Sequence, residues 1–231
     1  MFVRSFHAPR ATLLAAVLLL LASGCKDQGV APDQSADNVH LSVQAAGSVL
    51  HKVNHETLHI TSVKVLLKRI SFSHATSDDS LDVHTGSIVV DLNLDAKMTP
   101  VTATRVRAGV YDRVRFEIHK PEDAEPIPDS TFRSGPRGNE RYSVVVTGLY
   151  HDTPFTFTSR ESARQELALV PPVTITDDGT VHVTLKIDPY AWFTVDGLVL
   201  DPFNQDKQID DRVKRSFASA FKDNDRNGEP D

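Results

Sequence analysis

Apolar and polar residues alternate along most of this chain with a period of two. Val39, Leu41 and Val43 begin the pattern, and Ile88, Val90, Leu92 and Leu94 continue it. Val114, Phe116 and Ile118 repeat it, followed by Tyr142, Val144 and Val146, then Phe155 and Phe157. The cleanest run is Val181, Val183, Leu185 and Ile187. Successive side chains of a strand point to opposite faces, so strict alternation predicts antiparallel strands with one face buried and one wet. The predicted fold is therefore all-β, an antiparallel β-sandwich over residues 39–203.

Turn chemistry divides the strands at Ser77–Ser80, Ala108-Gly109, Pro126–Gly138, Pro171-Pro172 and Asp177-Asp178-Gly179. The last has hairpin spacing, and predicts that Val173–Ile175 pairs with the strand beginning at Val181. Between Leu58 and Phe72 the phase slips twice. Leu58 and Ile60 are even-numbered, Val63, Val65 and Leu67 odd, and Ile70 and Phe72 even again. β-Branched residues favour a strand here over a helix, so the slips predict bulges or a corner. Pro121–Gly138 has no periodicity and reads as a long surface loop. Trp192, the sole tryptophan in a chain with 7% aromatic residues, reads as a core plug rather than a sugar-stacking platform.

The period changes near the end. Ile209, Val213, Phe217 and Phe221 recur at four-residue steps opposite Asp210, Arg212, Lys214 and Arg215, which predicts a short helix with Asp206 as its N-cap. Residues 204–231 are thus expected to form a C-terminal helix and a tail. In that tail, Asp223, Asp225, Asn227 and Asp231 place side-chain oxygens at loop positions 1, 3, 5 and 9, with Gly228 at the sharp turn and Glu229 after it. Ca²⁺ takes six to eight oxygen ligands, and this spacing turns alternate side chains toward one ion. The segment Gly228–Asp231 resembles a thrombospondin type-3 calcium repeat. A tandem second copy and a twelfth-position carboxylate are not present in this sequence.

The start of the chain carries a different signal. Arg4 and Arg10 form a basic leader, Ala11–Leu21 is apolar, and Leu21-Ala22-Ser23-Gly24-Cys25 closes the run. The last five residues resemble the lipobox of bacterial lipoproteins, which implies cleavage after residue 24 and acylation of Cys25 with fatty chains of the palmitate kind. The apolar run is too short to span a bilayer, which takes about 20 residues. Residues 25–38 are small and polar, and read as a tether. Lys26 follows the cysteine in place of Asp, which by the same resemblance favours the outer membrane. Cys25 is the only cysteine, so the mature domain has no disulfide and no thiolate ligand. The net charge of −6 becomes more negative once the two leader arginines are gone. An acidic surface repels phosphate backbones and argues against nucleic acid as a partner.

Candidate chemistry is sparse. His55-Glu56-Thr57-Leu58-His59 matches the H-E-x-x-H pattern of zinc peptidases, in which two histidines on one helical face hold the metal beside a general base. On the strand expected here, Glu56 falls on the face opposite His55 and His59. A zinc peptidase, or a metal strip of His51, His55 and His59, is therefore an alternative rather than the main reading. No nucleophile elbow, phosphate loop or dinucleotide fingerprint occurs, and no catalytic residue is assigned.

Arg107–Phe116, with Ala108, Gly109, Tyr111, Val114 and Phe116, resembles the turn-and-strand motif of a bacterial lipoprotein family with a domain of unknown function. Val89–Leu92 and Ser62–Phe72 resemble its neighbouring strands. The resemblance implies an exported sandwich of the immunoglobulin or transthyretin kind and no reaction. Gly109 is expected to make the tight turn, and Tyr111 to supply a corner ring. Together these readings point to an envelope lipoprotein with a non-enzymatic binding or structural role, serving an envelope protein or small ligand. A fimbrillin-like assembly subunit, which needs a pairing-competent edge strand, is the other alternative.

Overall fold

The alternating segments form strands that join into one curled sheet. The computed structural model describes residues 37–46, 51–53, 56–74, 80–215 and 217–231, so Cys25, the leader and most of the tether lie outside the described residues. The first strands are β1 (Val39–Ala45), β2 (His51–Val53), β3 (Glu56–His74), β4 (Ser80–Asp91), β5 (Met98–Thr104) and β6 (Gly109–Ile118). The pairs β7 (Arg133–Ser134) and β8 (Glu140–Arg141) form a small ribbon before β9 (Val144–Tyr150), β10 (Thr153–Ser159), β11 (Ala163–Ile175) and β12 (Val181–Ile187). A second ribbon, β13 (Thr194–Val195) with β14 (Leu198–Val199), precedes the α-helix α1 (Asp206–Val213) and the strand β15 (Phe217–Lys222).

The strand order of the large sheet is β10-β9-β3-β6-β11-β15-β12-β1-β5, with β2 and β4 also on β3. Pairing is mostly antiparallel, and the parallel contacts are β1 with β12 and a single bridge between β11 and β15. The fold is all-β and sandwich-like, with one short α-helix among the described residues. Inward residues of both halves, among them Leu41, Val43, Val65, Phe72, Val114, Leu185 and Ile187, build one core. Burial of such side chains contributes about 1.5–3 kcal/mol each and is the main favourable term. Trp192, 1% exposed, sits in that core with Tyr190 and Phe193, as a plug should.

The phase slips of β3 are bulges. Its pairing with β9 shifts between Ile60 and Ser62, and its pairing with β4 shifts around Arg69, whose backbone is left-handed at φ 55°. The bulges keep Leu58, Ile60, Val63, Val65, Leu67, Ile70 and Phe72 all in the core. They also let one strand serve three long partners besides the short β2 at its start. Leu58–Val65 pairs with β9, Leu67–His74 with β6, and Lys64–Ser73 with β4. Leu66 marks the changeover, donating its N–H to Ser143 and accepting from the N–H of His119.

Four expectations need correction. The hairpin between Val173–Ile175 and Val181 does not form, because β15 lies between β11 and β12 and takes their inner edges. Pro171-Pro172 does not end a strand. It sits inside β11, where the register against β6 slips between Ala168 and Val173. The helix ends at Val213, and its N-cap position is Gln205, with Asp206 in the first turn. Phe217 and Phe221 belong instead to β15, since a four-residue step is also two strand periods. A register slip between Lys186 and Ile187 then turns Phe217 and Ala220 into the core, while Phe221 is buried on the outer face under Lys186. Finally, Asn38, expected as the last residue of a polar tether, is 2% exposed. Its side chain donates to the carbonyls of Val106 and Thr176 and accepts from the N–H of Val106, fastening β1 to two loops.

The long loop after β6 is docked rather than free. Ile127 and Phe132 cover Leu66, Tyr142 and Val145 on the outer face of the sheet, forming a satellite core. Ion pairs hold it down, Lys64 with Asp129 at 2.7 Å and Lys68 with Glu125 at 2.9 Å. Burial pushes the Glu125 carboxyl up, but hydrogen bonds from His119, Ser87 and Lys68 outweigh it and bring the pKa down to about 2. The Lys64 ammonium and Thr131 likewise hold Asp129 at about 2. Gly109 opens β6 without a positive φ, and its missing side chain makes room for the His74 ring. Tyr111 does turn the corner, donating its hydroxyl to the carbonyl of Arg107 at 2.8 Å.

Two outcomes follow from this packing. Asn38→Ala removes two buried hydrogen bonds and one part-buried one, and is expected to cost about 2–4 kcal/mol in urea unfolding. Both loop carboxyls ionise more readily folded than unfolded, so their contribution is complete above the ordinary values of 4.5 and 3.8 and is lost as pH falls toward 2. Melting temperature should therefore drop across that acid window, and Glu125→Gln should flatten part of the drop.

Candidate functional site

Strand β15 delivers the tail to the outer face of β12 and β1. Register fixes the arrival point, with Lys222 opposite Val183 and Phe221 opposite Thr184. The N–H of Asp223 then bonds the carbonyl of His182, and Asn224 Oδ1 accepts from the N–H of His182. From there residues 223–231 fold back, and the N–H of Asp231 reaches the carbonyl of Lys222.

Within this loop the carboxylates of Asp223, Asp225 and Asp231 each bring an oxygen within 4.8 Å of the others. Asp223 is 0% exposed. Its carboxylate accepts the Thr184 hydroxyl at 2.8 Å and the Gly228 N–H at 3.2 Å. Both donors are neutral, and among the described residues no cationic side chain forms an ion pair with Asp223. A buried carboxylate is costly unless paired with positive charge. Further along, Asp225 accepts the N–H of Asn227, and Asn227 Oδ1 accepts the N–H of Glu229. Those bonds coil the loop so that alternate side chains fall on one side. The Lys222 ammonium lies 3.0 Å from Asp231 and is the first cause of that carboxyl's lowered pKa, ahead of the Asn224 N–H.

Oxygen donors at this spacing suit a hard cation such as Ca²⁺. The structure brings together Asp223, Asp225 and Asp231 of the sequence-predicted set. Glu229 is drawn to Lys186 at 3.3 Å and lies outside the carboxylate cluster, and Asn227 Oδ1 is engaged by the N–H of Glu229. Thr184 was missed in the sequence, because only the fold brings β12 beneath the loop. Gly228 is left-handed at φ 82°, and a side chain there would overlap Gln44 of β1.

The histidine candidates look different. His55 lies outside the described residues, as do the side chains of His51 and Glu56. His59 is a half-buried residue of β3 paired with Leu149, between the buried Leu58 and Ile60. Glu56–His59 is strand and not helix, so the pattern does not carry the helical face on which H-E-x-x-H holds zinc.

No family model and no curated protein matches this chain. Among solved structures it is similar to MbnP from Methylosinus trichosporium. The identity is 12% and the TM-score 0.37, over 66% of this chain and 75% of that one.

Gly228→Ala combines a left-handed backbone with a clash against Gln44, and should cost about 1–3 kcal/mol of stability in denaturant unfolding. Loss below a few tenths of a kcal/mol would show that the loop does not pack on β1 as described.

Proposed function

We propose that this chain is a bacterial envelope lipoprotein, anchored through acylated Cys25, whose sheet domain has a non-enzymatic binding or structural role and whose tail loop binds calcium. The observation that carries the calcium reading is Asp223, a wholly buried carboxylate with two neutral donors and two neighbouring carboxylates. A divalent cation together with the Lys222 ammonium would balance the charge of the three carboxylates. Its role is structural, because the loop continues directly from β15, and β15 joins the two halves of the sheet. Holding the loop shut would hold that strand in place.

The anchor rests on the leader and Leu21–Cys25, and the outer-membrane placement on Lys26. Two or three fatty chains, at about 0.8 kcal/mol for each buried methylene, would hold the protein firmly to a bilayer. No helix among the described residues is long and apolar enough to cross a membrane. The assembly-subunit alternative asks for an open edge strand. The two end strands of the path, β5 and β10, carry Pro100 and Pro154, residues that blunt edge pairing.

Calcium in the millimolar range should raise the melting temperature of the tag-free domain, with a dissociation constant of about 10⁻⁴–10⁻³ M. At ten times that constant the gain is about 1.4 kcal/mol. Asp225→Ala should abolish the shift while leaving the calcium-free melting point nearly unchanged. Equal melting with calcium and with chelator would remove the calcium reading. For the anchor, the native protein's mass should include diacylglycerol and fatty acid on Cys25, and Cys25→Ser should release it from membranes.

A further inference from the structure

The calcium-loop segment also walls a cleft of opposite character. This hollow of about 540 Å³ lies on the outer face of β1, β5 and β12, between the strands and the tail. Its basic side chains are His40, His182, Lys97 and Arg226, joined by neutral polar groups such as Gln44 and Asn227, and no carboxylate lines it. In a chain of net charge −6 that is a local reversal of sign. His40 and His182 face each other across the β1–β12 pairing, with rings stacked at 4.8 Å. The Arg226 guanidinium lies 3.3 Å from both ring nitrogens of His182. Among the described residues neither Arg226 nor Lys97 takes part in an ion pair.

We propose that this cleft is a binding site for a small oxyanion group, a carboxylate, sulfate or phosphate ester, read by Arg226, His182, His40 and Lys97, and that calcium in the adjoining loop assembles it. The attractive side of the argument is charge. A guanidinium offers planar paired donors to an oxyanion, and imidazole N–H groups and an ammonium can complete the shell.

The coupling side is covalent. Arg226 lies between Asp225 and Asn227, inside the loop, and its backbone is left-handed at φ 57°. That conformation is costly for a residue with a side chain and persists only where the surroundings impose it. Closing the loop around an ion holds Arg226 in that conformation, with its guanidinium over His182. Calcium and oxyanion should then favour each other's binding by equal factors. This part rests on the calcium reading above.

The test uses sulfate as the probe, with ionic strength held constant by chloride. The ring resonances of His40 and His182 are followed by NMR in calcium and in chelator. The expected result is saturable shifts of both histidines in calcium, with affinity about tenfold weaker in Arg226→Gln, the loss of one charge-assisted bond. In chelator the wild-type protein should bind sulfate several-fold more weakly. Absence of saturable shifts in the calcium-loaded wild type would overturn the site. Sulfate binding indifferent to Arg226→Gln, or equal in calcium and chelator, would overturn the assigned reader or the coupling. Calcium binding is scored separately by melting without sulfate. A protein stabilised by calcium but blind to sulfate sinks the anion site alone, whereas one indifferent to calcium sinks the calcium reading and the coupling with it.

Discussion

Strand β15 is the seam of this molecule. On one side of it stand β10, β9, β3, β6 and β11, and on the other β12, β1 and β5. Among the described residues the two groups meet through β15 alone in the hydrogen-bonded path, by one parallel bridge at Leu169–Ala220 and an antiparallel ladder to β12. Its apolar residues serve both faces. Phe217 meets Phe116 edge-on at 4.5 Å in the core, while Phe221 is covered from outside by Lys186. A strand buried on both faces gives up the plain alternation that advertises a half-wet one.

That loss of alternation is why the end of the chain misleads. Phe217 and Phe221 stand four apart, and over so few residues helical and strand periods cannot be distinguished. The same insertion hides the separation of β11 from β12. Asp177-Asp178-Gly179 has ordinary hairpin chemistry, and nothing local says that a later segment will come between its arms. By contrast, β3 was legible in detail. Its two changes of phase between Leu58 and Phe72 fall where the bulges occur, because each inserted residue must reset which side chains face inward. Alternation in β1, β6 and β12 was equally plain, since each has a partly exposed outer face to mark the period, whereas in β9 the docked loop buries Val145, and Tyr142 just before the strand, on the outer face.

The candidate site divides in the same way. Asp223, Asp225 and Asp231 were readable as a set because their spacing lies within nine residues. Thr184, Gln44 and His182 contribute through long-range pairing, and no local pattern announces them. The docked loop between β6 and β9 has a similar explanation. Pro121–Gly138 lacks periodicity because it packs through scattered residues, Ile127 and Phe132, and through ion pairs to β3. Absence of pattern there meant irregular backbone and not absence of contact.

The position of the seam also has a consequence in time. Residues 217–222 leave the ribosome after every other strand, so the emerging chain can form two partial sheets but cannot sew them together. Such late, distant pairings make for slow folding. If the chain is exported as proposed, that delay would favour passage across a membrane before folding, because the closing stitch is withheld until the strands on both sides of it have been made.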